Sequence, residues 1–298
     1  MIEPRVSVII PTYNRKNELK KCLESVLKQN YKNYDVIVAD GDSNDGTLRL
    51  LMSFKKRYRN FHYLVEKRRG IGAARNSAER VARGEIVLMT DSDCVVPEDW
   101  IERMVNVILS GEVAIQGFQC TACNRIWSRL FQTFQEHIFF KVYGGRDYID
   151  FLDTKNFGIR LSVLKKIGFT NRNIIIGNDI ELMARLLKSG YKIKFEGGIR
   201  VCHRHPSSLP DILRKYFYYG FWVAKICKKH EKFFNERKSP VYNDFLFISN
   251  KNIFSIFLGI LKESWLNTRE YGIMGGIFIL FVNSGWYLGL RAGIKLAD

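Results

Sequence analysis

The sequence predicts an α/β fold in which a mostly parallel central sheet is flanked by helices. Over roughly the first ninety residues, strand-like apolar runs alternate with helical patterns, a polar turn follows each run, and two carboxylates follow the last one. Repeated strand–helix–strand units favour parallel pairing with right-handed crossovers, so the turns after the strands gather at one edge of the sheet. In open α/β sheets that edge is where ligands bind.

Each element can be assigned in chain order. Strands are predicted at 6–10, 34–39, 61–65 and 85–90, and the helices between them at about 19–27, 47–58 and 70–82. Asn14 or Asn17 is the expected N-cap of the first helix. Further along, short helices are predicted at 162–167 and from about residue 178. A loop rich in Phe and Tyr, expected to shape acceptor choice, is predicted around residues 117–150.

The turns after the first strands carry the chemistry of a nucleotide site. Asp40, at a strand end, can accept hydrogen bonds from a base edge or a ribose, and Tyr13 can stack on a base. Arg75 can pair with phosphate oxygens near a helix start, and Gly72 lets backbone approach a ligand. Each residue taken singly is more typical of an ordinary turn, packed aromatic or surface position. Their common place at one edge of the predicted sheet favours the nucleotide site.

Asp91-Ser92-Asp93 follows the strand at 85–90. Two carboxylates one residue apart suit Mg²⁺ or Mn²⁺ bridging a diphosphate, because these ions take carboxylate and phosphate oxygens together. An isolated pair of this kind is more often a simple turn. The strands and turns that precede it favour the metal interpretation.

Five ordered segments carry a family resemblance, namely Val6–Arg15, Leu23–Gln29, Val38–Thr47, Gly72–Asn76 and Asp91–Asp93. Over roughly residues 5–205 the chain resembles a family-2 glycosyltransferase with the GT-A fold. The resemblance implies a nucleotide-sugar site formed by Pro11, Thr12, Tyr13, Asn14, Asp40, Asp42, Gly72, Arg75, Asp91 and Ser92. It implies a metal site at Asp93 with Asp91 and His203. The family commonly has two adjacent acids where this chain has Asp40-Gly41-Asp42, which leaves Asp42 open as a donor contact.

The second half supplies the predicted base. Asp179 opens a helical pattern, where a carboxylate is stabilised as the anion; on the residues alone it is more readily an N-cap. The resemblance implies that Asp179 is the catalytic base, with Asn178 in place of the family's Glu and Asp153 as a lesser candidate. His203 is favoured over His205 as the residue near the metal. The predicted acceptor or phosphate contacts are Asn156, Arg160, Asn178, Arg204 and His205.

The implied activity moves a sugar from a nucleotide-diphosphate sugar to an acceptor hydroxyl or phosphate. A UDP-sugar is favoured and a GDP-sugar is possible, with Mn²⁺ or Mg²⁺ and inversion at the anomeric carbon. A nucleotidyltransferase is the first alternative, although it would normally carry a basic glycine-rich loop where this chain has Pro11–Asn14. A non-catalytic nucleotide-binding scaffold is the second alternative.

Charge and hydropathy predict a membrane partner. The net charge is +17, and residues 188–238 hold 13 Lys and Arg against 4 Asp and Glu. Since no nucleic-acid motif accompanies this excess, an anionic membrane surface and a glycan or polyprenyl-linked acceptor fit better. The chain divides into a catalytic domain at 1–205, a basic amphipathic interface helix at 206–240, and an apolar helical pair at 241–298. A soluble helical subdomain or a dimerisation surface is the alternative for the tail.

The remaining signals concern location. Residues 271–290 carry no charge and have the length of a spanning helix, although Asn283 and Ser284 lie within them. The first strand follows Met1 almost directly, so no signal peptide is predicted, and the expected location is the cytoplasmic face of the cell membrane. The six cysteines are interpreted as reduced thiols, with a metal or redox role for Cys120 and Cys123 as the lesser alternative.

Overall fold

The structure is a computed structural model that describes residues 3–122, 124–237 and 253–296. The chain divides into two compact units. The first contains residues 1–122 and 145–204 and holds the entire described sheet. The second contains residues 123–144 and 205–298 and is helical where it is described.

Eight strands form one sheet in the order β3-β2-β1-β4-β7-β6-β8-β5. In chain order they are β1 Val6–Thr12, β2 Tyr34–Asp40, β3 Phe61–Val65, β4 Ile86–Met89, β5 Cys94–Val95, β6 Ala114–Thr121, β7 Phe157–Arg160 and β8 Lys194–His203. The half from β3 to β4 is parallel throughout, as the strand–helix alternation predicts. Beyond β4 the sheet is mixed, because β7 pairs antiparallel with both β4 and β6, whereas β6 and β8 are parallel.

Ten helices accompany the strands in the described residues. In the first unit they are α1 Lys16–Val26, α2 Thr47–Arg57, α3 Ile71–Val81, α4 Trp100–Leu109, α6 Leu161–Ile167 and α7 Asn178–Lys188, with a 3₁₀ turn at Thr154–Asn156. In the second unit they are α5 Ile126–Tyr143, α8 Leu209–Lys229, α9 Glu231–Glu236 and α10 Ile253–Lys295. A non-helical Gly272 interrupts α10, with φ 72° and ψ 177°.

The main core lies on one face of the sheet in the first unit. Alternate residues of β1, namely Val6, Val8 and Ile10, pack there with the buried side chains of α1, α2 and α4. The alanine-rich α3 lies against β1 and β2 outside this cluster. Helices on both faces bury the strands completely, which explains why β1, β2 and β4 are continuous apolar runs.

Two sequence predictions about the described elements are wrong. Neither Asn14 nor Asn17 caps α1, whose N-cap is Arg15; the Asn14 side chain instead accepts a hydrogen bond from the Asn44 amide at 2.9 Å. The region predicted as a loop around 117–150 contains most of β6 and the 18-residue helix α5. Gln116, Gly117 and Gln119 interrupt the apolar pattern of β6, although Gln116 and Gln119 are buried.

In the second unit, α8 and α10 pack closely along glycines spaced four apart. A methyl group at Gly285 would lie 2.5 Å from the Leu213 carbonyl oxygen, and Gly289 and Gly293 meet α8 carbonyls in the same way. Close approach along small residues is typical of helix pairs in membranes.

By length and composition, Gly272–Lys295 is the one helix in the described ranges that could cross a membrane, with 24 residues and a mean hydropathy of 1.6. A core helix of a soluble protein passes the same test. Residues 238–252, where the predicted boundary between the interface helix and the apolar pair falls, lie outside the described residues.

Candidate active site

The carboxyl ends of three parallel strands meet at one edge of the first unit. Thr12, the last residue of β1, pairs with Asp40, the last residue of β2. On the other side of β1, Ile9 pairs with Met89, and its carbonyl accepts a hydrogen bond from the Thr90 amide at 3.2 Å. The turns that start at residues 13, 41 and 90 therefore share this edge, as the sequence predicts.

Hydrogen bonds join the first two turns. The carboxylate of Asp40 is buried and accepts from the Ser43 amide at 3.0 Å and the Ser43 hydroxyl at 2.5 Å. The Asn14 amide donates to the same hydroxyl at 2.8 Å. Asn14 and Asp42 both have positive φ, at 49° and 66°, and Asp42 is exposed. The two turns thus form one preorganised rim beside the end of β1.

The side chains at the end of β1 face different surroundings. Tyr13 is 57 % exposed, so its ring is available to a ligand, whereas Thr12 is buried with its hydroxyl oxygen lacking a hydrogen-bond partner. Pro11 precedes them within β1 and is buried. A ring exposed beside a buried acid is the arrangement that stacking on a base and hydrogen bonding to a nucleoside require.

Arg75 links two parts of the site. Its side chain is 1 % exposed, which excludes the solvated surface position that the sequence left open. One guanidinium nitrogen donates to Asp91 Oδ1 at 3.0 Å and another donates to Asn178 Oδ1, while its Nε has no partner. Arg75 therefore connects the acids after β4 to the start of α7, which lies 103 residues after Arg75 in the chain.

Asp93 lies between the side chains of Arg15 and His203. Its Oδ2 pairs with the Arg15 guanidinium, and its Oδ1 lies 3.4 Å from His203 Nε2. The pairing of β5 with β8 sets Cys94 opposite His203, which places the imidazole beside Asp93. Burial raises the pKa of the Asp93 carboxyl, but His203 and Arg15 outweigh burial and hold that pKa well below its usual range.

The other residues near the end of β8 are placed differently. Arg204 donates its backbone amide to the Asp93 carbonyl at 3.1 Å, while its side chain pairs with Glu18. His205 belongs to the second unit, where it is buried and lies 2.6 Å from Gln132 Oε1. His203 lies beside Asp93, and its role near a metal stays a prediction.

Asp179 is the second residue of α7. The N-cap is Gly177, at φ 81°, so the interpretation of Asn178 or Asp179 as the cap is wrong. Asp179 Oδ1 accepts from the Ile180 amide at 2.9 Å. Burial, and after it the charge of Asp153, raises the pKa of Asp179 to about 6. A carboxyl group tuned in this way can take up a proton near neutral pH.

Lys155 also influences the pKa of Asp179, and it was not predicted from the sequence. Lys155 Nζ pairs with Asp153 Oδ2 at 2.6 Å, and the Lys155 amide donates to Asp153 Oδ1 at 3.1 Å. Burial lowers the pKa of Lys155, but Asp153 and Asp91 outweigh it and leave that pKa raised. Lys155 in turn lowers the pKa of Asp179, so it opposes Asp153 there. The only signal in the sequence is the spacing Asp153-x-Lys155.

Two predicted contact residues are structural instead. The Asn156 amide nitrogen donates to the Phe118 and Ile199 carbonyls at 2.7 and 2.8 Å, and its oxygen accepts from Trp100 Nε1 at 2.9 Å. Arg160 donates to the Ile108 carbonyl at 2.7 Å and to that of Glu112 at 3.2 Å. Because Arg160 pairs with Ile86 at the start of β4, it lies at the opposite edge of the sheet from Asp91.

Helix α3 holds the segment that leads to Asp179. Asn76 donates to the Thr170 carbonyl at 2.6 Å, and buried Glu79 accepts from the Thr170 amide at 2.7 Å and its hydroxyl at 2.5 Å. Gly72 faces this segment as well, so its close approach is to the chain's own backbone. The predicted role of Gly72 beside a ligand gains no support from these contacts.

Gly72→Ala is expected to destabilise the first unit by about 1–3 kcal/mol, the usual cost of overpacking. The added methyl would lie 2.7 Å from the Asn171 carbonyl oxygen and closer still to that of Ile174, and neither backbone atom can move alone. Thermal unfolding measures the effect. Gly198→Ala is the matched control, since its methyl meets only the end of the flexible Arg103 side chain, at 3.3 Å. Equal melting temperatures for the two variants would contradict the packing argument.

A mixed sheet with flanking helices, as found here, is the fold of GT-A glycosyltransferases. The family model described as Glycosyl transferase family 2 matches residues 7–168. The chain is also 30 % identical over 228 residues to Glycosyltransferase AglE of Haloferax volcanii, covering 73 % of this chain and 72 % of that protein. The chain therefore belongs to glycosyl transferase family 2.

Other relatives match over shorter stretches. The chain is 30 % identical over 115 residues to Glycosyltransferase GlyA of Streptococcus pneumoniae, which is 39 % of this chain and 16 % of that protein. Thus the chain spans only a small part of some curated relatives.

Solved structures share the fold. Mannosyltransferase PcManGT from Pyrobaculum calidifontis, in complex with GDP-Man and Mn²⁺, aligns with a TM-score of 0.65 at 19 % identity, over 96 % of this chain and 88 % of that chain. S. aureus TarS 1-349 in complex with UDP aligns with a TM-score of 0.54 at 15 % identity, over 95 % and 89 % of the two chains. At these identities the likeness establishes the fold alone.

Proposed function

We propose that this glycosyltransferase moves a sugar from a nucleoside-diphosphate sugar to an acceptor hydroxyl or phosphate, with inversion and with a divalent metal ion. One observation carries the proposal: Arg75 bonds both Asp91 at the donor edge and Asn178, the neighbour of Asp179, at the start of α7. One buried side chain thus links Asp91, a residue predicted to lie near the diphosphate, to the residue next to Asp179, the predicted base. The GDP-Man and UDP bound by the two structural neighbours support a nucleotide donor.

The donor is assigned to the rim formed by the first two turns. In this proposal the base stacks on Tyr13, and Asp40 accepts hydrogen bonds from the nucleoside. Pro11, Thr12 and Asn14 shape that rim, with Ser92 and Arg75 toward the diphosphate. A UDP-sugar is favoured, and a GDP-sugar is the other candidate.

The residues present fit a metal ion. Asp93 Oδ1 is buried without a hydrogen-bond partner, and His203 Nε2 lies 3.4 Å away. The described residues contain no group of three or more His, Cys, Asp or Glu able to hold an ion by themselves. Mg²⁺ and Mn²⁺ sites of this kind draw further ligands from substrate phosphates. A bound ion, held by Asp93 and His203 with Asp91 nearby, would supply neutralisation of charge on the departing diphosphate.

In this proposal Asp179 takes up the proton that the acceptor hydroxyl loses. The acceptor oxygen attacks the anomeric carbon while the bond from that carbon to the diphosphate breaks, and the hydroxyl proton passes to Asp179. The nucleoside diphosphate leaves with the electron pair of the broken bond. Attack opposite the leaving group inverts the anomeric carbon. Asp179 suits this role because its raised pKa makes it a stronger base than an exposed carboxylate.

Activity is expected to rise with pH through an apparent pKa of about 6 and then level off, because only ionised Asp179 accepts the proton. Asp153→Asn should move this midpoint to lower pH, since the charge of Asp153 raises the pKa of Asp179. Lys155→Met should move it to higher pH, since the charge of Lys155 lowers that pKa. The measurement is kcat/KM against pH for the three proteins. Midpoints that coincide would contradict the assignment of Asp179.

A lipid-linked acceptor at the cytoplasmic face of the membrane completes the proposal. The charge excess at 188–238 favours an anionic surface, and Gly272–Lys295 offers one apolar helix of sufficient length. In this proposal the glycan or polyprenyl-linked acceptor is held at the membrane surface.

Release of nucleoside diphosphate tests the activity. The full chain is incubated with each of a panel of UDP- and GDP-sugars plus Mn²⁺, with and without a polyprenyl-phosphate acceptor in mixed micelles. Release from one donor, accelerated by acceptor, is the expected result. No release from any donor by folded protein would support a nucleotide-binding scaffold instead.

A further inference from the structure

Arg15 lies where a divalent ion bound to Asp93 would compete with it. It is the N-cap residue of α1, and its guanidinium pairs with Asp93 Oδ2. The side chain of Asp93 is 9 % exposed, whereas that of Arg15 is 48 % exposed. The carboxylate is therefore fixed in the protein, while its partner is a long side chain that reaches in from the surface.

Three arginines near this edge each form an ion pair with one carboxylate. Arg75 pairs with Asp91 and is buried, so it cannot leave. Arg204 pairs with Glu18, which lies on α1 outside the predicted donor contacts. Of these three arginines, Arg15 neutralises Asp93, the proposed metal ligand, and its half-exposed side chain can move away.

Arg15 and a divalent ion would compete for Asp93, because both are positively charged. A divalent cation and a guanidinium on the same carboxylate repel each other, and the second oxygen of Asp93 already faces His203. Departure of Arg15 would remove that repulsion and leave a guanidinium at the donor edge. Arginine is well suited to bind phosphate there, because its planar group offers paired donors to two oxygens.

We propose that Arg15 is the protein's own counter-cation for Asp93, that a divalent ion displaces it, and that the displaced guanidinium binds the diphosphate of the donor. This rests on the donor site proposed above. It follows that Arg15 weakens binding of the metal ion alone and strengthens binding of metal and diphosphate together. The two ligands are coupled through one side chain that has a different partner in each state.

Binding of Mn²⁺ alone to the full chain, measured from the EPR signal of the free ion, gives the first test. Arg15→Gln is expected to bind Mn²⁺ about tenfold more tightly than the wild type, within the range typical of coupled sites. Lys20→Gln is the matched control, because it removes one positive charge from the same helix, where Lys20 pairs with Glu24, but leaves Arg15 on Asp93; its affinity should match the wild type. Tighter binding in both variants would overturn the proposal in favour of a general charge effect.

The second test repeats the titration with saturating UDP or GDP. In the wild type the nucleotide should strengthen Mn²⁺ binding more than it does in Arg15→Gln, and Arg15→Lys, which keeps the charge, should resemble the wild type for Mn²⁺ alone. Unchanged Mn²⁺ affinity in Arg15→Gln, with nucleotide binding intact, would overturn the role of Arg15 and leave the donor site standing. Absence of nucleotide binding in the wild type would overturn both.

Discussion

Asp179→Asn is expected to lower kcat by about 10²–10⁴-fold, the usual contribution of a positioned general base. The amide has nearly the same size, and it can still accept from the Ile180 amide at the start of α7, so the fold should persist. It cannot take up the acceptor proton. Nucleotide affinity should change little, because Asp179 is not among the predicted donor contacts. Single-turnover transfer and nucleotide titration measure the two effects separately.

Asp147→Asn provides the control for Asp179. Its side chain is 80 % exposed and pairs with Lys194 at 3.2 Å, so the same chemical change should leave transfer intact. Asp153→Asn separates the two candidate bases, since it should shift the pH profile but retain activity. Loss of transfer in Asp153→Asn together with retention in Asp179→Asn would reverse the assignment.

Asp93→Asn is expected to weaken metal-dependent nucleotide binding by more than about 100-fold. Loss of a partner one shell away from a metal commonly costs about 10–100-fold, and loss of a direct ligand should exceed that. The amide keeps the shape but removes the charge that holds Arg15 and faces His203. Calorimetric titration with UDP and GDP, with and without Mn²⁺, measures the effect.

Asp99→Asn is the corresponding control, because the Asp99 side chain is 47 % exposed and pairs with Arg103 on α4 at 3.9 Å. It should bind nucleotide like the wild type. If Asp93→Asn also kept metal-dependent binding, the metal would have to be held elsewhere and the proposed role of Asp93 would be wrong.

The parallel half of the fold was predictable because its signals are local. Buried parallel strands are continuous apolar runs, and β1, β2 and β4 are buried along their whole lengths. The mixed half gives no such signal. β5 has two residues, and β6 contains Gln116 and Gln119, which are buried yet polar. Gln116 hydrogen-bonds to the segment at 153–156, so tertiary contacts permit a residue that the pattern counts against a strand.

The candidate site also has a part that could be predicted from the sequence and a part that could not. The edge that collects Tyr13, Asp40 and Asp91 follows from strand order and could be predicted. The pairing of Asp93 with Arg15 and His203, and of Arg75 with Asn178, joins residues far apart in the chain and depends on register. The sequence likewise could not reveal that Arg160 faces the opposite edge, since β7 runs antiparallel to β4.

The central claim is that a nucleoside-diphosphate sugar binds the edge formed by β1, β2 and β4 together with a divalent ion. A thermal-shift panel of UDP-, GDP-, CMP- and dTDP-sugars, each with and without Mn²⁺, tests it most directly, because a ligand that binds only the native state raises the melting temperature. The account predicts a clear rise with one nucleotide, in the presence of Mn²⁺ only. No rise with any of them, in folded protein, would contradict it.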